Sequence, residues 1–440
     1  MKPHLCSQFL VFMMDKLNVL LLGGGGREHA MAWKMAQSPL LSQLYIAPGN
    51  GGTSEVGTNL PFGDSDFEAM KLAIIEKNIS LVIVGPEAPL VKGVREFIEN
   101  DDAIKHVKIV GPGAEGAQLE GSKAFSKAFM QRHNIPTARY GEFNGEQIES
   151  AKVFLSEFNP PYVLKADGLA AGKGVLIIDD RAEAELALED MLLGGKFGAA
   201  GNKVVIEEFL KGIELSVFVL TDGNDYLILP EAKDYKRIGE GDSGLNTGGM
   251  GSISPVPFAD AAYMEKVKQT IVEPTISGLK KDNISYNGFV FVGLMNVDGE
   301  PIVIEYNSRM GDPETESVMP RIKNDFLEIL WNCGNQTLKN SKIEVDERTA
   351  ACVMLVSGGY PEDYEKGKVM SGVEANAQTL AFHAGTTLKE GKLLTSGGRV
   401  IAFTSLANNL EDALSLSYNK IAEVKFDGMY YRTDIGFDLK

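Results

Sequence analysis

Four short apolar runs alternate with glycine-rich turns and helical patterns near the start of the chain. They occupy residues 19–22, 44–46, 81–84 and 108–110. Strands that alternate with helices form a parallel sheet with helices on its faces. Ligands of such sheets bind beyond the carboxyl ends of the strands, so the loops after these runs are expected to line one crevice. We therefore predict a doubly wound α/β domain over residues 17–118.

The first run ends in four glycines, Gly23 to Gly26, and a helical pattern follows. Backbone N–H groups of such a loop and the helix N-terminus favour an anion. A dinucleotide fingerprint needs a small third residue, but counting from Gly23 or Gly24 places Glu28 or His29 there. The second run also leads into APGNGGT, which offers no acidic residue for a ribose. The pattern disfavours a nicotinamide oxidoreductase and favours a small phosphorylated ligand, with a ligand-free turn as the alternative.

Length and charge narrow the class of protein. A chain of 440 residues is too long for one core, so several domains are expected. Its 43 basic and 60 acidic residues give a net charge of -17, which disfavours nucleic-acid and anionic membrane partners. Cys6, Cys333 and Cys352 are widely spaced, which indicates neither a disulfide framework nor a zinc site. We expect a cytoplasmic protein.

Residues 1–16 precede the first strand and carry a short apolar run without a cleavage site for a signal peptide. We expect this extension to be disordered and residues 1–13 to be dispensable. Since Met14 lies just before the first strand, residues 1–13 could also stem from an upstream start codon. No other stretch approaches the ~20 apolar residues of a membrane span.

Residues 161–178 read as strand, glycine-rich loop and strand, with Lys165 and Lys173 near the loop. A Walker A loop does not fit, because Asp167 occupies its first glycine position and Gly174 the position of its Ser or Thr. We predict a mobile flap whose N–H groups and lysines close over phosphates. An ordinary hairpin with solvated lysines is the alternative.

Residues 204–214 read as a strand that runs into a bend. Its backbone could contact the edge of an adenine. Glu214, just past Gly212, could accept hydrogen bonds from ribose hydroxyls. A solvated carboxylate at a strand end is the alternative.

Residues 301–314 contain a late strand with two oxygen ligands. Side chains alternate along a strand, which predicts one face with Val303, Glu305 and Asn307 and another with Ile302, Ile304 and Tyr306. One carboxylate and one amide oxygen suit Mg²⁺ that also binds nucleotide phosphates. In the alternative, Asn307 caps a helix and Glu305 pairs with Arg309.

The order of these motifs resembles the ATP-grasp superfamily. The strings GGREHA, APGNGGT, VGPEAPLVKG, LEGSKAF, KADGLAAGKGV, NTGGMG, GDPETE, SGGYP and FHAGT resemble the phosphoribosylamine–glycine ligase family of purine biosynthesis. The resemblance extends from Leu17 to Gly436. This sequence departs from it at Tyr235, where the family has histidine, and at Ser308 and Met310, where it has cysteine and phenylalanine. A general-base role for position 235 is therefore in doubt.

The resemblance implies an α/β protein with an ATP-grasp fold. It adds an ATP-grasp core over residues 119–336, with a mobile lid at about 137–208, and a C-terminal α+β domain over 337–440. The implied enzyme is a monomer that joins glycine to 5-phosphoribosylamine through glycyl phosphate and yields glycinamide ribonucleotide, ADP and phosphate. A related purine-pathway carboxylase or a non-catalytic nucleotide-binding protein is the alternative.

The patterns and the resemblance together give the candidate site residues. Those for ATP are Lys123, Lys165, Gly172, Lys173, Glu207, Glu208, Leu210 and Glu214. Those for Mg²⁺ or Mn²⁺ are Glu305 and Asn307. Those for glycine and 5-phosphoribosylamine are Gly24, Gly25, Gly26, Asn50, Gly51, Gly52, Pro86, Glu87, Asp234, Lys236 and Arg309. The expected catalytic residues are Arg309, Lys165 and Asp312, with Arg309 pairing with the glycine carboxylate.

Overall fold

A computed structural model describes residues 16–168, 174–194 and 201–439 of the chain. Residues 1–15 of the predicted extension lie outside the described residues, as do Gly172 and Lys173 of the predicted flap. In the described ranges, no helix combines the length and the apolar content that crossing a membrane requires.

The first unit is a parallel sheet. Its strands are β1 (Leu17–Gly23), β2 (Leu41–Pro48), β3 (Thr58–Asn59), β4 (Leu81–Val84) and β5 (Lys108–Val110), in the order β3-β2-β1-β4-β5. The neighbouring helices are α1 (Gly26–Met35), α2 (Phe67–Glu76), α3 (Glu87–Val91), α4 (Val94–Glu99), α5 (Gln118–Gly121) and α6 (Lys123–Arg132). Val19 and Leu21 of β1 enter one apolar core, and Leu20 and Leu22 enter another. The four apolar runs thus form the predicted parallel sheet.

The second unit is a four-stranded antiparallel sheet, here called the lid sheet. It contains β6 (Tyr140–Asn144), β7 (Tyr162–Ala166), β8 (Val175–Ile178) and β9 (Lys203–Glu207) in the order β6-β9-β7-β8. Helices α7 (Ile148–Leu155) and α8 (Arg181–Leu192) share a separate apolar core with it. β7 and β8 pair as the predicted hairpin. Movement of this unit stays a prediction.

A second antiparallel sheet lies at the centre of the chain. It contains β10 (Ile213–Thr221), β11 (Tyr226–Ile228), β16 (Gly288–Val297) and β17 (Glu300–Asn307) in the order β11-β10-β16-β17. Helices α9 (Ala261–Val267) and α10 (Glu273–Lys281) contribute to the core on one of its faces. The predicted metal ligands lie at the end of β17.

A β-bulge corrects the predicted alternation along β17. Gly293 pairs with Glu305 whereas Leu294 pairs with Val303, which leaves Ile304 as an extra residue. Val303 therefore enters the same apolar core as Tyr306, and the prediction that they occupy opposite faces is wrong. The register is regular from residue 305 onward, so Glu305 and Asn307 share a face.

The last sheet joins two distant parts of the sequence. Its strands are β12 (Lys233–Asp234), β15 (Gly251–Ser254), β18 (Thr349–Val356), β19 (Thr379–His383) and β22 (Arg399–Ala407), in the order β12-β15-β18-β22-β19. Two hairpins accompany it, β13 (Arg237–Gly239) with β14 (Ser243–Asn246) and β20 (Thr386–Lys389) with β21 (Lys392–Thr395), as do α11 (Glu314–Val318), α12 (Phe326–Gly334) and α13 (Leu410–Ile421). The antiparallel pairing of β15 with β18 crosses the domain boundary expected after residue 336.

Candidate active site

Two buried lysines meet one glutamate at the lid sheet. Lys165 on β7 and Lys127 on α6 each place Nζ 3.0 Å from Oε2 of Glu207 on β9. Burial lowers the pKa of Lys127 to about 8, although Glu207 acts in the opposite direction. The second oxygen, Oε1 of Glu207, is buried without a hydrogen-bond partner among the described residues. Because an unpaired buried acceptor is costly, this oxygen is suited to accept from the amino group of a base.

The bulge in β17 brings the lid sheet to the predicted metal ligands. It directs the Ile304 carbonyl oxygen to Lys165, whose Nζ donates to it at 3.2 Å. Thr137 makes a parallel bridge with Val303, and its hydroxyl donates to the Val303 carbonyl at 2.8 Å. The local irregularity thus fixes where the lid sheet joins β17.

Glu305 lies among cations that other carboxylates already bind. Burial alone would raise the pKa of Glu305, but Lys123, Lys236, Lys165 and Arg309 lower it to about 2. Within the described residues, the ion-pair partners of the last three are Glu207, Glu214, Glu87 and Glu120 rather than Glu305. An ionised carboxylate beside the amide of Asn307 fits Mg²⁺ or Mn²⁺, since both prefer oxygen ligands.

Arg309 links β17 to the parallel sheet. Its Nη2 lies 2.7 Å from Oε1 of Glu120 and donates to Oδ1 of Asn307 at 3.3 Å. Its Nε lies 3.5 Å from Oε2 of Glu87, the residue that opens α3. Glu120 also accepts from the backbone N–H of Ser308 at 2.9 Å. Arg309 therefore does not pair with Glu305, and the alternative with Asn307 as a helix cap does not occur.

The glycine loop contains a carboxylate of its own. Oε2 of Glu28 accepts from the Gly25 N–H at 2.6 Å, and Oε1 lies 2.6 Å from Nε of Arg27. A Cβ at Gly23 or Gly85 would lie 2.6 or 2.2 Å from atoms of the Glu28 side chain. These two glycines therefore make room for Glu28. A phosphate at this loop would meet a Gly25 N–H that is already bonded.

Asp312 joins the same loop to the C-terminal part of the chain. Its Oδ2 accepts from the Arg27 N–H at 3.4 Å, and its Oδ1 lies 2.9 Å from Nη2 of Arg399 on β22. Burial opposes ionisation of this carboxyl, but Arg399 and Arg27 lower its pKa. The predicted catalytic residue Asp312 thus lies at the glycine loop.

Asn50, in the loop after β2, connects the glycine loop to β19. Its Nδ2 donates to the Gly24 carbonyl at 3.0 Å and to the His383 carbonyl at 2.6 Å. Its Oδ1 accepts from the N–H groups of Gly52 and Thr53 at 2.9 and 3.0 Å. The structure therefore gives Asn50 a role in ordering the loop. Its role in substrate binding stays a prediction.

Two buried histidines lie where this loop meets the C-terminal sheet. His29 Nδ1 accepts from the His383 backbone N–H at 2.8 Å, and the two rings lie 5.5 Å apart. Burial lowers the pKa of His29 to about 3, with a smaller contribution from His383. Burial also lowers the pKa of His383 to about 4. Both imidazoles are therefore neutral in the folded protein at physiological pH.

A second group of acidic side chains lies near Lys236. Lys236 Nζ lies 2.5 Å from Oε2 of Glu214, the residue predicted to bind ribose. Glu314, at the start of α11, accepts from the Ser216 hydroxyl at 3.0 Å. Burial, followed by the charge of Asp234, raises the pKa of Glu314 to about 7. Burial also raises the pKa of Asp234, against the effect of Lys236.

Tyr235 points away from these acidic side chains. It is 1% exposed, and its hydroxyl donates to Oδ1 of Asp438 at 2.9 Å. Lys233 Nζ lies 3.1 Å from the other Asp438 oxygen and 3.8 Å from the Tyr235 ring centroid. Burial and the carboxylate of Asp438 both raise the pKa of this phenol. Tyr235 therefore holds the C-terminal segment in place through its hydrogen bond with Asp438. Its raised pKa makes it unsuited to act as a general base.

The C-terminal segment also holds the hairpin that follows Lys236. Arg432 is fully buried, and its Nη1 lies 2.6 Å from Oδ1 of Asp242. Asp434 accepts from the Gly241 N–H at 2.6 Å, and the Tyr430 hydroxyl donates to the Ile238 carbonyl at 3.0 Å. These bonds fix the hairpin β13–β14.

The remaining predicted residues have simpler surroundings. Glu208 is exposed and donates its N–H to the Arg139 carbonyl at 2.9 Å, and Leu210 is half-buried. Pro86 precedes α3, and the Gly51 N–H donates to the Thr386 carbonyl at 3.1 Å. Their contacts with ligands stay predictions.

Sequence reasoning missed several partners, namely Arg27, Glu28, Glu120, Lys127, Glu314 and Arg399. Lys127 could have been found, because it lies four residues after Lys123 on the same helical face. Glu120 and Arg399 meet partners far along the chain, which no local spacing indicates.

Family models match most of the chain. The N domain of phosphoribosylglycinamide synthetase matches residues 17–120, its ATP-grasp (A) domain residues 121–315 and its C domain residues 350–438. A bifunctional purine biosynthetic protein of Pichia angusta is 45% identical over 429 residues, which are 96% of this chain and 54% of that protein. The chain thus spans about half the length of this relative.

Single-function relatives and solved structures agree with the family models. Phosphoribosylamine–glycine ligase of Pseudomonas syringae pv. tomato is 44% identical over 96% of this chain and 97% of its own. The crystal structure of the ligase from Thermotoga maritima superposes with a TM-score of 0.82 at 36% identity, over 95% of this chain and all of that one. The biotin carboxylase domain of a Hydrogenobacter thermophilus 2-oxoglutarate carboxylase shares only the fold, with a TM-score of 0.71 at 16% identity over 95% and 92% of the two chains. The chain therefore belongs to the phosphoribosylamine–glycine ligase family of ATP-grasp enzymes, as its motifs predicted.

Proposed function

We propose that this chain joins glycine to 5-phosphoribosylamine at the expense of ATP, with glycyl phosphate as the intermediate. The observation that carries the proposal is the cluster of four cations, Lys123, Lys165, Lys236 and Arg309, whose charges lower the pKa of the buried Glu305 carboxyl beside Asn307. This arrangement suits transfer of a phosphoryl group, because cations and a metal neutralise the charge that develops on its oxygens.

The chemistry follows from the poor reactivity of a carboxylate. An oxygen of the glycine carboxylate attacks the γ-phosphorus of ATP, and the bond to the ADP oxygen breaks. The amine of phosphoribosylamine then attacks the acyl carbon, forms the C–N bond, expels phosphate and loses a proton. Positioning of the reactants supplies much of the rate in such reactions.

The described residues divide these tasks. Glu305 and Asn307 would hold Mg²⁺ or Mn²⁺, which would neutralise phosphate charge. Lys165 and Lys123 would bind phosphates, Glu207 would accept from the adenine amino group, and Arg309 would pair with the glycine carboxylate. We further propose that the loops after β1, β2 and β4 bind phosphoribosylamine, and that the protein is a cytoplasmic monomer.

Glycine labelled with heavy oxygen in its carboxylate tests the intermediate. One labelled oxygen should appear in the released phosphate when ATP and phosphoribosylamine are supplied. Unlabelled phosphate, with product formed, would exclude glycyl phosphate. ADP release that depends on bicarbonate instead of glycine would indicate a carboxylase, and ATP binding without turnover would indicate a nucleotide-binding protein.

A further inference from the structure

Two residues flank Lys236, and the C-terminal segment of the chain binds both of them. On one side, the Tyr235 hydroxyl donates to Oδ1 of Asp438 at 2.9 Å. On the other side, Nη1 of Arg432 donates to the carbonyl oxygen of Arg237 at 3.2 Å. The Arg432 guanidinium also lies over the Tyr235 ring, 5.4 Å from its centroid. The backbone around Lys236 is therefore held by residues that lie 203 and 195 positions away in sequence.

The hairpin β13–β14 depends on the same C-terminal segment, residues 430–438. Among the described residues, its two strands pair only with each other. Arg432 is fully buried, and its Nη1 lies 2.6 Å from Oδ1 of Asp242 in the hairpin. Its Nε and Nη2 donate to the two oxygens of Asp434 at 2.7 and 2.8 Å, and Asp434 accepts from the Gly241 N–H at 2.6 Å. One buried guanidinium thus anchors the hairpin.

Lys236 extends from the base of this hairpin to the proposed site of phosphoryl transfer. Its carbonyl oxygen accepts from the Thr247 N–H at 2.7 Å, so its backbone belongs to the hairpin base. Its Nζ lies 2.5 Å from Oε2 of Glu214, and its charge is one of the four that lower the pKa of Glu305. Displacements of about 1 Å can cost large factors in rate. The contacts that hold the hairpin therefore bear on turnover.

We propose that Arg432 is a positioning residue that, together with Tyr235, holds Lys236 at the site of phosphoryl transfer. This inference rests on the proposed function, since it assigns how one of the four cations of that site is held. The planar guanidinium suits the role, because it binds two carboxylates and a backbone carbonyl at once. The tyrosine at position 235 supplies the second anchor through its hydroxyl.

The test is a double-mutant cycle in ADP-release assays with saturating ATP, glycine and phosphoribosylamine. Lys236→Met should lower kcat by about 100-fold, because a cation at the transferring phosphate is lost. Arg432→Met should lower kcat by about 10-fold, because the cation remains but is displaced. If Arg432 acts through Lys236, the double variant should match Lys236→Met within about twofold. Losses that multiply, or a wild-type kcat in either single variant, would overturn the proposal.

Tyr235→Phe keeps the test decisive if Arg432→Met does not fold. It removes one hydroxyl and leaves the ring and the buried arginine in place. We expect kcat to fall by about 3- to 10-fold. The same substitution in the Lys236→Met background should cause no further loss. A further loss of the same size there would show that Tyr235 affects turnover without Lys236, which would overturn the proposal.

The matched control is Tyr286→Phe, which removes the hydroxyl of another buried tyrosine. Tyr286 lies in a different apolar core from Tyr235, and its hydroxyl donates to the Phe289 carbonyl at 2.7 Å. Its loss should leave kcat unchanged in the wild-type and Lys236→Met backgrounds. Equal losses of kcat in the two phenylalanine variants would overturn the proposal, because the effect would then follow from any lost buried hydrogen bond.

Failure of the proposed function has a different signature, since the wild-type protein would then release no ADP in response to glycine. Labelling with an amine-reactive reagent, followed by mass spectrometry, still measures the environment of Lys236. Burial acts to lower the pKa of Lys236, but Asp234 and Glu214 raise it well above its ordinary value, so the held amine should react slowly. Arg432→Met and Tyr235→Phe should increase its labelling rate at least about threefold. Equal rates would contradict the positioning role alone.

Discussion

Two groups of buried carboxylates, one at the glycine loop and one near Lys236, differ in their partners. At the glycine loop, Glu28 and Asp312 lie within 3 Å of the guanidinium groups of Arg27 and Arg399. Near Lys236, Asp234 and Glu314 have no ion-pair partner within 4 Å among the described residues, and the charge of Asp234 adds to burial in raising the pKa of Glu314. The neighbouring arginines lower the pKa of Asp312, whereas burial raises the pKa of both Asp234 and Glu314. An arginine partner therefore favours the ionised carboxylate in the first group, and its absence favours the protonated form in the second.

Among the described residues, Glu305 is neither paired with an arginine nor free of neighbouring cations, and its replacement should have the largest effect on turnover. Replacing it with Gln keeps its shape but removes the charge that we assign to metal binding. We expect kcat to fall by about 10²- to 10³-fold, with little change in melting temperature. Turnover measured against metal concentration should show weaker apparent metal affinity. Full activity of Glu305→Gln would show that the metal binds elsewhere. Glu305 would then have no assigned role that separates it from the carboxylates at the glycine loop and near Lys236.

Breaking a pair at the glycine loop should destabilise the protein. Glu28→Gln leaves the buried guanidinium of Arg27 without its carboxylate partner. We expect the free energy of unfolding to decrease by about 3 kcal/mol, as is common when one member of a buried pair is removed. Urea denaturation at pH 8 measures this change. A loss below about 1 kcal/mol would show that the pair contributes no more than an exposed ion pair.

Removing the charge of Glu314, which has no ion-pair partner among the described residues, should stabilise the protein instead of destabilising it. The folded pKa of Glu314, about 7, is above its ordinary value of 4.5, so its contribution to stability is fully present below pH 4.5. That contribution is lost as the pH rises through 7. Without ligand, Glu314→Gln should therefore gain stability over the wild type across this range, about 3 kcal/mol at pH 8. A pH-independent difference in urea denaturation would contradict the raised pKa.

The histidine pair gives the smallest expected effect. The folded pKa of His29, about 3, is below its ordinary value of 6.5, so its neutral form stabilises the fold above pH 6.5. The wild type should lose about 1 kcal/mol between pH 7.5 and pH 5.5 through this residue. His29→Asn keeps an acceptor near the position of Nδ1 but does not titrate. The stability difference between the two proteins should therefore change with pH, and a constant difference would rule out this role.

The sequence predicted those parts of the fold that depend on neighbouring residues, such as buried strands and the alternation of side chains along a strand. The four apolar runs gave the parallel sheet, because burial on both faces of a strand requires continuous apolar residues. The spacing of Glu305 and Asn307 predicted their common face. Val303 was placed incorrectly, because the bulge next to it depends on the register with Gly293 in another strand. The pattern of side chains within one strand cannot predict how that strand pairs with its neighbour.

The partners of charged residues could not be predicted in the same way. Arg27 and Asp312 meet across 285 residues of sequence. The sequence motifs predicted a catalytic role for Asp312 but did not indicate that it lies beside Arg399 and the glycine loop. Glu28 was noted only as a mismatch to a dinucleotide fingerprint. Its carboxylate in fact fills the space left by two glycines, which is information that only the folded backbone provides.

The strand pairing between β15 and β18 has a consequence for synthesis on the ribosome. β15 leaves the exit tunnel well before β18, so its hydrogen-bonding edge has no partner during that interval. Domains of most multidomain proteins fold one after another as they emerge. Here the central segment remains incomplete until the C-terminal strands arrive. The nascent chain is therefore exposed to aggregation over this interval, and chaperone binding should concentrate there.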